Sequence, residues 1–264
     1  MNFSGKTIWI TGASSGIGRA VAIEISKNRA HLILSGRNET ALLEVAEKCV
    51  QNGSTAETLA FDLGDEVSVN NAVQYILSRK VEIDALYQFG GISQRSFAVE
   101  TPLYVDRKIF EVNYFGAVTL ARAVLPGMIN NGGGHIAVTS SIVGKFGFPY
   151  RSSYSASKHA LHGFFESLQA ENANKNIRVS VIIPGRIKTG ISVNAIDKHG
   201  NQHSKIDDGQ NKGMPAEESA KIICRKLKKE KKEILVGGKE IMMVHIRRFL
   251  PALYYNLAPK IKPL

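Results

Sequence analysis

The chain has 264 residues, of which 44% are hydrophobic, enough to bury a sizeable core in a single α/β domain. Its formal net charge of +11 is concentrated near the carboxyl terminus, where the stretch from Lys221 to Leu264 holds 12 of the 34 basic residues and 3 of the 23 acidic ones. Residues 1–220 are therefore close to neutral, and the charge does not indicate a nucleic-acid-binding protein.

The two cysteines and the amino-terminal residues indicate in which cellular compartment the protein is expected. Cys49 and Cys224 are far apart and belong to no CxxC pair, so the sequence predicts neither a disulfide framework nor a metal site. The first residues, MNFSGKTIWITG, lack the apolar core and cleavage site of a signal peptide. No uninterrupted apolar run approaches the roughly 20 residues of a spanning helix. We therefore expect a cytoplasmic protein, with any membrane association made through its basic tail.

Apolar runs of strand length alternate with amphipathic helical stretches along the chain. The predicted strands are, in order, KTIWITG, AHLILSGR, AETLAFDL, IDALYQFGG, GHIAVTSS, IRVSVIIPG and EILVGG. The predicted helices are GIGRAVAIEISKNR, NETALLEVAEKCVQNG and the stretches around residues 67–79, 105–129, 154–174 and 216–227. This alternation predicts an α/β fold, a single-domain Rossmann-type doubly wound parallel sheet of about seven strands.

Two segments depart from this pattern. Residues 186–213 are polar and dotted with glycine, as in a functional lid or a disordered loop, and we expect a substrate lid within a catalytic domain of residues 1–240. Residues 241–264 form a basic, apolar tail. Its composition suits an anionic bilayer surface, and it equally suits a helix packed on the substrate pocket or on a second subunit. Pro251 should kink or end the helix of this tail.

A glycine-rich loop follows the first predicted strand and leads directly into a helix. Glycines at the first, fifth and seventh positions of this loop allow a tight turn and let the backbone approach a pyrophosphate, while the helix N-terminus supplies free N–H groups. With a strand before it and a helix after it, the loop predicts a dinucleotide site. Its expected binding residues are Gly12, Ser14, Ser15, Gly16, Ile17 and Gly18.

The end of the second strand bears on which dinucleotide binds. NAD sites usually carry an acidic residue there, for the ribose 2′-hydroxyl. This chain has Ser35-Gly36-Arg37-Asn38 instead, and the Arg37 guanidinium can pair with a 2′-phosphate. Arg19 either supplies a second positive charge or is an ordinary solvated helix residue. The sequence therefore favours NADP(H).

Tyr154 and Lys158 are four residues apart, so they lie on one face of a predicted helix. A nearby ammonium stabilises the phenolate and should lower the pKa of Tyr154 toward a useful acid/base range. Ser141 ends the fifth strand and can hydrogen-bond a substrate carbonyl oxygen. Taken alone, a Tyr-x-x-x-Lys pair is more often an exposed helix face.

Three motifs occur together: Thr-Gly-x-x-x-Gly-x-Gly, a serine at the end of a mid-chain strand, and Tyr-Ser-Ala-Ser-Lys. In this combination the chain, up to about residue 240, resembles the short-chain dehydrogenase/reductase family. The segment GGISQRS resembles the branch that contains the member-7 dehydrogenase/reductases and the 11β-hydroxysteroid dehydrogenase-like enzymes, whose members often act on steroid, retinoid or other lipophilic carbonyls. Further matches are Asp62-Leu63, Asn113 in EVNYFG, Pro184-Gly185 and Thr189.

The resemblance implies a role for each matching residue. Tyr154 would be the acid/base, Ser141 rather than Ser140 would polarise the substrate oxygen, and Lys158 would lower the tyrosine pKa and hold the nicotinamide ribose. Asn113 would support a water-linked proton path to that lysine. The other cofactor contacts implied are Asp62 and Leu63 at the adenine, Ile187 and Thr189 at the nicotinamide amide, and Gly90, Pro184 and Gly185. Family members are commonly dimers or tetramers through two long helices, here around residues 105–129 and 154–174.

The chain departs from the family at the end of the fourth strand, where Gln88-Phe89-Gly90-Gly91 replaces the usual Asn-Asn-Ala-Gly. That motif is mainly structural, so the replacement bears on local geometry and stability more than on the reaction. The function predicted is an NADP(H)-dependent oxidoreductase that transfers hydride between nicotinamide and a carbonyl or secondary alcohol. The alternative is a non-catalytic NADP(H)-binding sensor or scaffold protein.

Overall fold

A seven-stranded, wholly parallel sheet forms the centre of the computed structural model, which describes residues 1–260. The strand order is β3-β2-β1-β4-β5-β6-β9, so the chain winds outward in both directions from β1 and β4. This confirms the predicted doubly wound α/β fold and places the switch point of the sheet between β1 and β4. The sheet strands are β1 Thr7–Thr11, β2 His31–Gly36, β3 Thr55–Ala60, β4 Ala85–Gln88, β5 Gly134–Thr139, β6 Ile177–Pro184 and β9 Glu233–Val236.

Helices cover both faces of the sheet because strand residues alternate between them. In β1, for example, Ile8 and Ile10 face one core cluster, with α1, α2 and α8, whereas Trp9 faces the other, with α3, α5 and α6. The helices are α1 Gly16–Ser26, α2 Glu39–Gln51, α3 Glu66–Ser78, α4 Leu103–Phe110, α5 Gly116–Asn130, α6 Ser152–Glu171, α7 Asp208–Asn211, α8 Ala216–Lys228, α9 Met242–Phe249 and α10 Pro251–Leu257.

A π-helical turn, Glu111–Phe115, joins α4 and α5 into one helical run, Leu103–Asn130. By length and composition alone this 28-residue run is long and apolar enough to cross a membrane, although half of its most apolar 18-residue stretch is buried within the fold. Such burial is also what a core helix of a sheet layer shows. π-Helical turns are rare and often occur at functional sites, and this one carries Asn113.

The segment predicted as a lid is folded against the body of the protein. It contains the short parallel pair β7 Ile187–Lys188 and β8 Met214–Pro215, together with α7. Ile196 is buried and forms β-bridges with Gln94 and Gln202. The weak periodicity of residues 186–213 therefore corresponds to irregular but packed structure, and their role as a lid stays a prediction.

The tail consists of α9 and α10, which meet at Leu250 and Pro251, where the sequence predicted a break. Tyr254 is buried, its ring lies 5.6 Å from that of Phe146, and its hydroxyl donates to the carbonyl of Gly147. Part of the tail thus packs on the body of the protein. Other apolar side chains of the tail remain exposed, namely Met242, Phe249, Leu250, Leu253 and Tyr255. The predicted tail also includes residues 261–264, which lie outside the described residues.

Candidate active site

A cavity of about 590 Å³ opens at the carboxyl ends of β1, β4, β5 and β6. This is the size range of ligand sites, and in doubly wound folds ligands bind at this edge of the sheet. All but one of the predicted site residues line it. They are Gly12, Ser14, Ser15, Gly16, Ile17, Gly18, Arg37, Asp62, Leu63, Gly90, Ser141, Tyr154, Lys158, Pro184, Gly185, Ile187 and Thr189. The exception is Asn113.

Gly12 and Gly18 of the glycine loop pack so closely against neighbouring backbone that neither position has room for a side chain. A Cβ on Gly12 would lie 2.5 Å from the backbone nitrogen of Gly90, and Gly12 also has a φ of +70°. A Cβ on Gly18 would lie 2.2 Å from the carbonyl oxygen of Gly12. Within residues 1–260 the hydroxyl of Ser15, the N-cap of α1, makes no capping hydrogen bond, so first-turn N–H groups stay available to an anion. This cradle fits a dinucleotide pyrophosphate.

Arg37 lies at the rim of the cavity, directly after β2. Its side chain is 64% exposed, and Nη1 is 3.9 Å from Oδ2 of Asp62. The neighbouring Asn38 caps α2 by accepting a hydrogen bond from the backbone N–H of Ala41. The Arg37 guanidinium is thus a charged group at the end of β2 that a ligand in the cavity can reach. Arg19 does not line the cavity.

Ser141, Tyr154 and Lys158 meet on one wall of the cavity. The Ser141 side chain is near enough to the Tyr154 phenol to lower its pKa, and the Lys158 ammonium lies 5.8 Å from the centroid of the tyrosine ring. Lys158 Nζ donates to the carbonyl of Thr139 at 2.7 Å. The hydroxyl of Ser140 instead donates to the carbonyl of Lys158, away from the phenol. The geometry therefore favours Ser141 over Ser140.

Burial dominates the electrostatics of this wall. It raises the pKa of Tyr154, while the Ser141 side chain and the positive charges of Arg95 and Arg151 lower it. Burial also lowers the pKa of Lys158 from 10.5 to about 7. The expected lowering of the tyrosine pKa by Lys158 is thus not what the structure gives. Desolvation outweighs the favourable charges, and the cations that oppose it are arginines.

Asn113 stands behind the cavity wall and holds the backbone of Ile92. Its side-chain oxygen accepts from the Ile92 N–H at 2.8 Å, and its nitrogen donates to the Ile92 carbonyl and to Ser157 Oγ, both at 3.0 Å. Gly91 lies between Asn113 and Lys158, since a Cβ there would be 3.0 Å from the Asn113 oxygen and 3.3 Å from Lys158 Nζ. Asn113 thus positions the loop that follows β4 beside the lysine. The predicted proton path stays a prediction.

The unusual Gln88-Phe89 pair leaves the cofactor side of β4 intact. The backbone N–H of Phe89 donates to the carbonyl of Thr11 at 3.0 Å, which extends the β1–β4 pairing up to the glycine loop. Gln88 is 97% buried, and its amide has no hydrogen-bond partner within the part of the chain that the structure describes. The departure from the family pattern therefore appears as an unsatisfied buried amide beneath the site.

The sequence alone did not reveal a buried ionic cluster that connects residues 186–213 to the cavity. The Asp207 carboxylate accepts hydrogen bonds from Nε and Nη2 of Arg95, at 3.2 and 2.6 Å, and from Nη2 of Arg151, at 2.8 Å. The exposed fractions of the three side chains are only 3%, 7% and 12% for Arg95, Asp207 and Arg151. Two guanidiniums share one carboxylate, so the cluster adds positive charge near Tyr154. The only sequence signal was the arginine in GGISQRS.

Gln94, next to this cluster, was also missed as a site residue. Its side-chain oxygen accepts from the backbone N–H of Ser153 at 2.9 Å and of Tyr154 at 3.4 Å, in the first turn of α6. Its nitrogen donates to Ser96 Oγ and Ser152 Oγ. Gln94 therefore caps the helix that presents the phenol and fixes where that helix begins.

Comparisons with known proteins agree with this geometry. The family described as short chain dehydrogenase matches residues 6–200. The dehydrogenase/reductase SDR family member 7B of Mus musculus is 40% identical over 253 residues, covering 94% of this chain and 78% of the mouse protein. A short chain dehydrogenase/reductase from Burkholderia phymatum in complex with NAD aligns with a TM-score of 0.84 at 23% identity, over 100% of this chain and 99% of that one. An alcohol dehydrogenase from Thermococcus sibiricus complexed with 5-hydroxy-NADP aligns with a TM-score of 0.77 at 25% identity, over 89% and 97%.

Proposed function

The chain belongs to the short-chain dehydrogenase family, and we propose that it is an NADP(H)-dependent enzyme that interconverts a carbonyl and a secondary alcohol on a lipophilic substrate. The observation that carries the proposal is the convergence of Ser141, Tyr154 and Lys158 on one wall of a cavity that the glycine cradle also lines. When bound, NADP(H) supplies the hydride that moves between nicotinamide C4 and the carbonyl carbon.

Each residue of the wall has a separate task. In the direction of reduction, the Tyr154 phenol donates its proton to the carbonyl oxygen, and in oxidation the phenolate removes it. Ser141 donates a hydrogen bond to the same oxygen and stabilises its developing negative charge. Lys158 holds the nicotinamide ribose, and its pKa of about 7 lets it exchange a proton near neutral pH. Asn113 keeps the loop that follows β4 in place beside Lys158.

Arg37 supports the choice of NADP(H). Its guanidinium lies at the cavity rim where NAD-binding proteins usually carry an acidic residue, and charge-assisted hydrogen bonds from arginine suit a phosphate. The alcohol dehydrogenase from Thermococcus sibiricus was solved with an NADP derivative, whereas the Burkholderia phymatum enzyme was solved with NAD. The fold accommodates both cofactors, so the preference rests on Arg37.

A group of apolar side chains lines part of the cavity, which supports a lipophilic substrate. Apolar side chains come from the predicted lid and the tail as well as from the body, and they are Ile92, Val112, Ile142, Val143, Phe146, Phe148, Ile191 and Met243. Glu240, the residue just before the tail, accepts a hydrogen bond from the Arg186 backbone N–H at 2.6 Å and so ties the beginning of the tail to residues 186–213. No observation favours a non-catalytic sensor or scaffold over the enzyme.

The tail and the long helices support two further parts of the proposal. Exposed apolar residues of α9 and α10 lie beside Arg247 and Arg248, which suits peripheral contact with an anionic membrane. Liposome co-sedimentation of the full chain, compared with a version ending at Gly238, tests this contact. A homodimer or homotetramer through the helical run Leu103–Asn130 and α6 is supported by the half-exposed Phe115 of that run, and light scattering would measure the assembly.

The experiment that tests the proposed function is a titration of the purified protein with NADPH and with NADH, followed by NADPH oxidation with aliphatic, aromatic, steroid and retinoid carbonyls. We expect tighter binding of NADPH and turnover of at least one lipophilic carbonyl. Equal affinity for the two cofactors would overturn the assignment to NADP(H). Tight binding of NADPH without turnover, over the whole panel and also in the alcohol direction, would favour a sensor.

A further inference from the structure

A second group of polar side chains lies outside the cavity, where α6 passes the start of β9. His162 and Glu166 are one turn apart on α6, and Glu233 is the first residue of β9. One ligand atom from each of these three residues lies within 4.8 Å of the other two. His162 Nδ1 is 3.6 Å from Oε1 of Glu166. The proposed reaction uses none of the three.

The hydrogen bonds around His162 determine which ring nitrogen carries the proton. Ser140 Oγ donates its one hydrogen to the Lys158 carbonyl at 3.1 Å, because a carbonyl can only accept. The same Oγ lies 2.9 Å from His162 Nε2 and must therefore accept from an Nε2–H. Among residues 1–260 no acceptor lies within hydrogen-bond distance of Nδ1, so a second proton on the ring would be buried without a partner. Nδ1 is then an unprotonated lone pair.

That lone pair is buried and aimed at negative charge. His162 is only 7% exposed, and its Nδ1 has no hydrogen-bond partner among residues 1–260. Oε1 of the Glu166 carboxylate lies 3.6 Å from it, so two acceptors face each other, an arrangement that is repulsive unless a cation lies between them. Glu166 and Glu233 are exposed enough for an ion to enter, with side chains 63% and 42% exposed.

We propose that His162, Glu166 and Glu233 form a binding site for a divalent transition-metal ion of the zinc class. In a tetrahedral zinc site with Zn–N and Zn–O bonds of about 2.0–2.2 Å, neighbouring ligand atoms lie about 3.4 Å apart, close to the distance found between Nδ1 and Oε1. An imidazole ligand favours Zn²⁺, Co²⁺ or Ni²⁺ over Mg²⁺ and Ca²⁺. A fourth position is left for water.

The surroundings already contain the support that a metal-bound histidine needs. Such histidines donate their other ring N–H to a fixed acceptor, and here Nε2–H donates to Ser140 Oγ, which in turn bonds the Lys158 carbonyl. An ion at this place links α6, which carries Tyr154 and Lys158, to the edge strand β9. The ion would therefore hold the helix that bears the catalytic pair against the edge of the sheet.

One side chain competes with the metal. Lys145 Nζ lies 2.5 Å from Oε1 of Glu233, so its ammonium occupies the carboxylate that the ion would bind. The metal must displace this ammonium, whose side chain is 26% exposed and can move into solvent. Removing the amine should strengthen metal binding, the opposite of the effect expected from removing a ligand.

The test uses untagged, full-length protein freed of metal by a chelator and titrated with Zn²⁺ in a calorimeter. A parallel titration with Co²⁺ is followed by visible absorption, whose intensity reports tetrahedral coordination. We expect one ion per chain and a rise in melting temperature on adding Zn²⁺. Glu166→Gln and Glu233→Gln change exposed side chains and should fold. Each should weaken binding at least about tenfold, since loss of even an outer-shell partner costs about 10- to 100-fold.

Two further variants make the result decisive. Lys145→Met should bind Zn²⁺ several-fold more tightly than the parent protein. His159→Gln is the matched control, because His159 is an exposed histidine of the same helix whose Nδ1 contacts the Ser155 carbonyl, and it should leave the affinity unchanged. Absence of stoichiometric binding would overturn the proposal. So would an affinity that is unchanged in both glutamate variants or that falls in His159→Gln.

Discussion

Lys158 is expected to make the folded protein less stable in exchange for its role in the site. Only 3% of this residue is exposed, and burial lowers its pKa from 10.5 to about 7. Each unit of pKa shift corresponds to about 1.4 kcal/mol, so below pH 7 the charged lysine lowers the free energy of unfolding by about 5 kcal/mol. Between pH 7 and 10.5 the unfolded chain holds more protons than the folded one, so this cost shrinks as the pH rises.

The perturbation that tests this is Lys158→Met, which keeps most of the length of the side chain and removes its charge. It also removes the hydrogen bond from Nζ to the Thr139 carbonyl, worth about 1 kcal/mol. At pH 6.5 the variant should therefore be more stable than the parent protein by about 3–4 kcal/mol. At pH 9.5 this gain should be smaller by about 3 kcal/mol, which leaves little difference.

The assay is urea unfolding of the cofactor-free proteins at the two pH values, followed by circular dichroism. Lys212→Met is the control, since Lys212 is an exposed lysine at the same cavity and its replacement should change stability by no more than about 0.5 kcal/mol. The reasoning is refuted if Lys158→Met is destabilising at pH 6.5, or if its effect is the same at both pH values. Turnover should be lost in the variant at either pH.

Other substitutions test the cofactor, the predicted lid and the choice of serine. Arg37→Ala should raise the Kd for NADPH about 10- to 100-fold and leave that for NADH nearly unchanged, because it removes charge-assisted hydrogen bonds to a 2′-phosphate. An unchanged preference in a cofactor titration would contradict this. Asp207→Asn should lower the free energy of unfolding by about 3–5 kcal/mol, because it leaves two buried guanidiniums without their carboxylate. The control is Asp208→Asn, a change at an exposed neighbouring residue, which should have little effect in the same urea assay. Ser141→Ala should lower kcat about 100-fold or more in steady-state kinetics, and Ser140→Ala should cause a much smaller loss. A larger loss of kcat in Ser140→Ala than in Ser141→Ala would contradict the choice of Ser141.

The fold could be predicted from the sequence because its signals are local. Strand-length apolar runs alternate with amphipathic helices, and this alternation alone implies a parallel sheet with helices on both faces. The glycine loop could be recognised because its glycines are required by contacts within a few residues and with one neighbouring strand, as the close approach of Gly12 to Gly90 illustrates. Family resemblance then supplied the roles that spacing alone leaves open.

The rest depended on contacts between distant parts of the chain. Asp207 pairs with Arg95 across 112 residues, and nothing near either residue indicates the partner. Residues 186–213 have no periodicity because short bridges and this ion cluster, rather than a regular helix or strand, hold them in place. The tyrosine pKa was predicted in the wrong direction because the charge of Lys158 is visible in the sequence and the burial of Tyr154 is not.

The most direct test of the central claim compares Tyr154→Phe with the parent protein in NADPH binding and in turnover of the best carbonyl from the panel. The substitution removes only the phenolic hydroxyl, so the cavity keeps its shape. The account predicts that kcat falls by at least about 100-fold, the scale of general acid catalysis, while the Kd for NADPH changes by less than about threefold. Turnover at the parent rate in Tyr154→Phe would contradict the assignment of this residue as the proton donor.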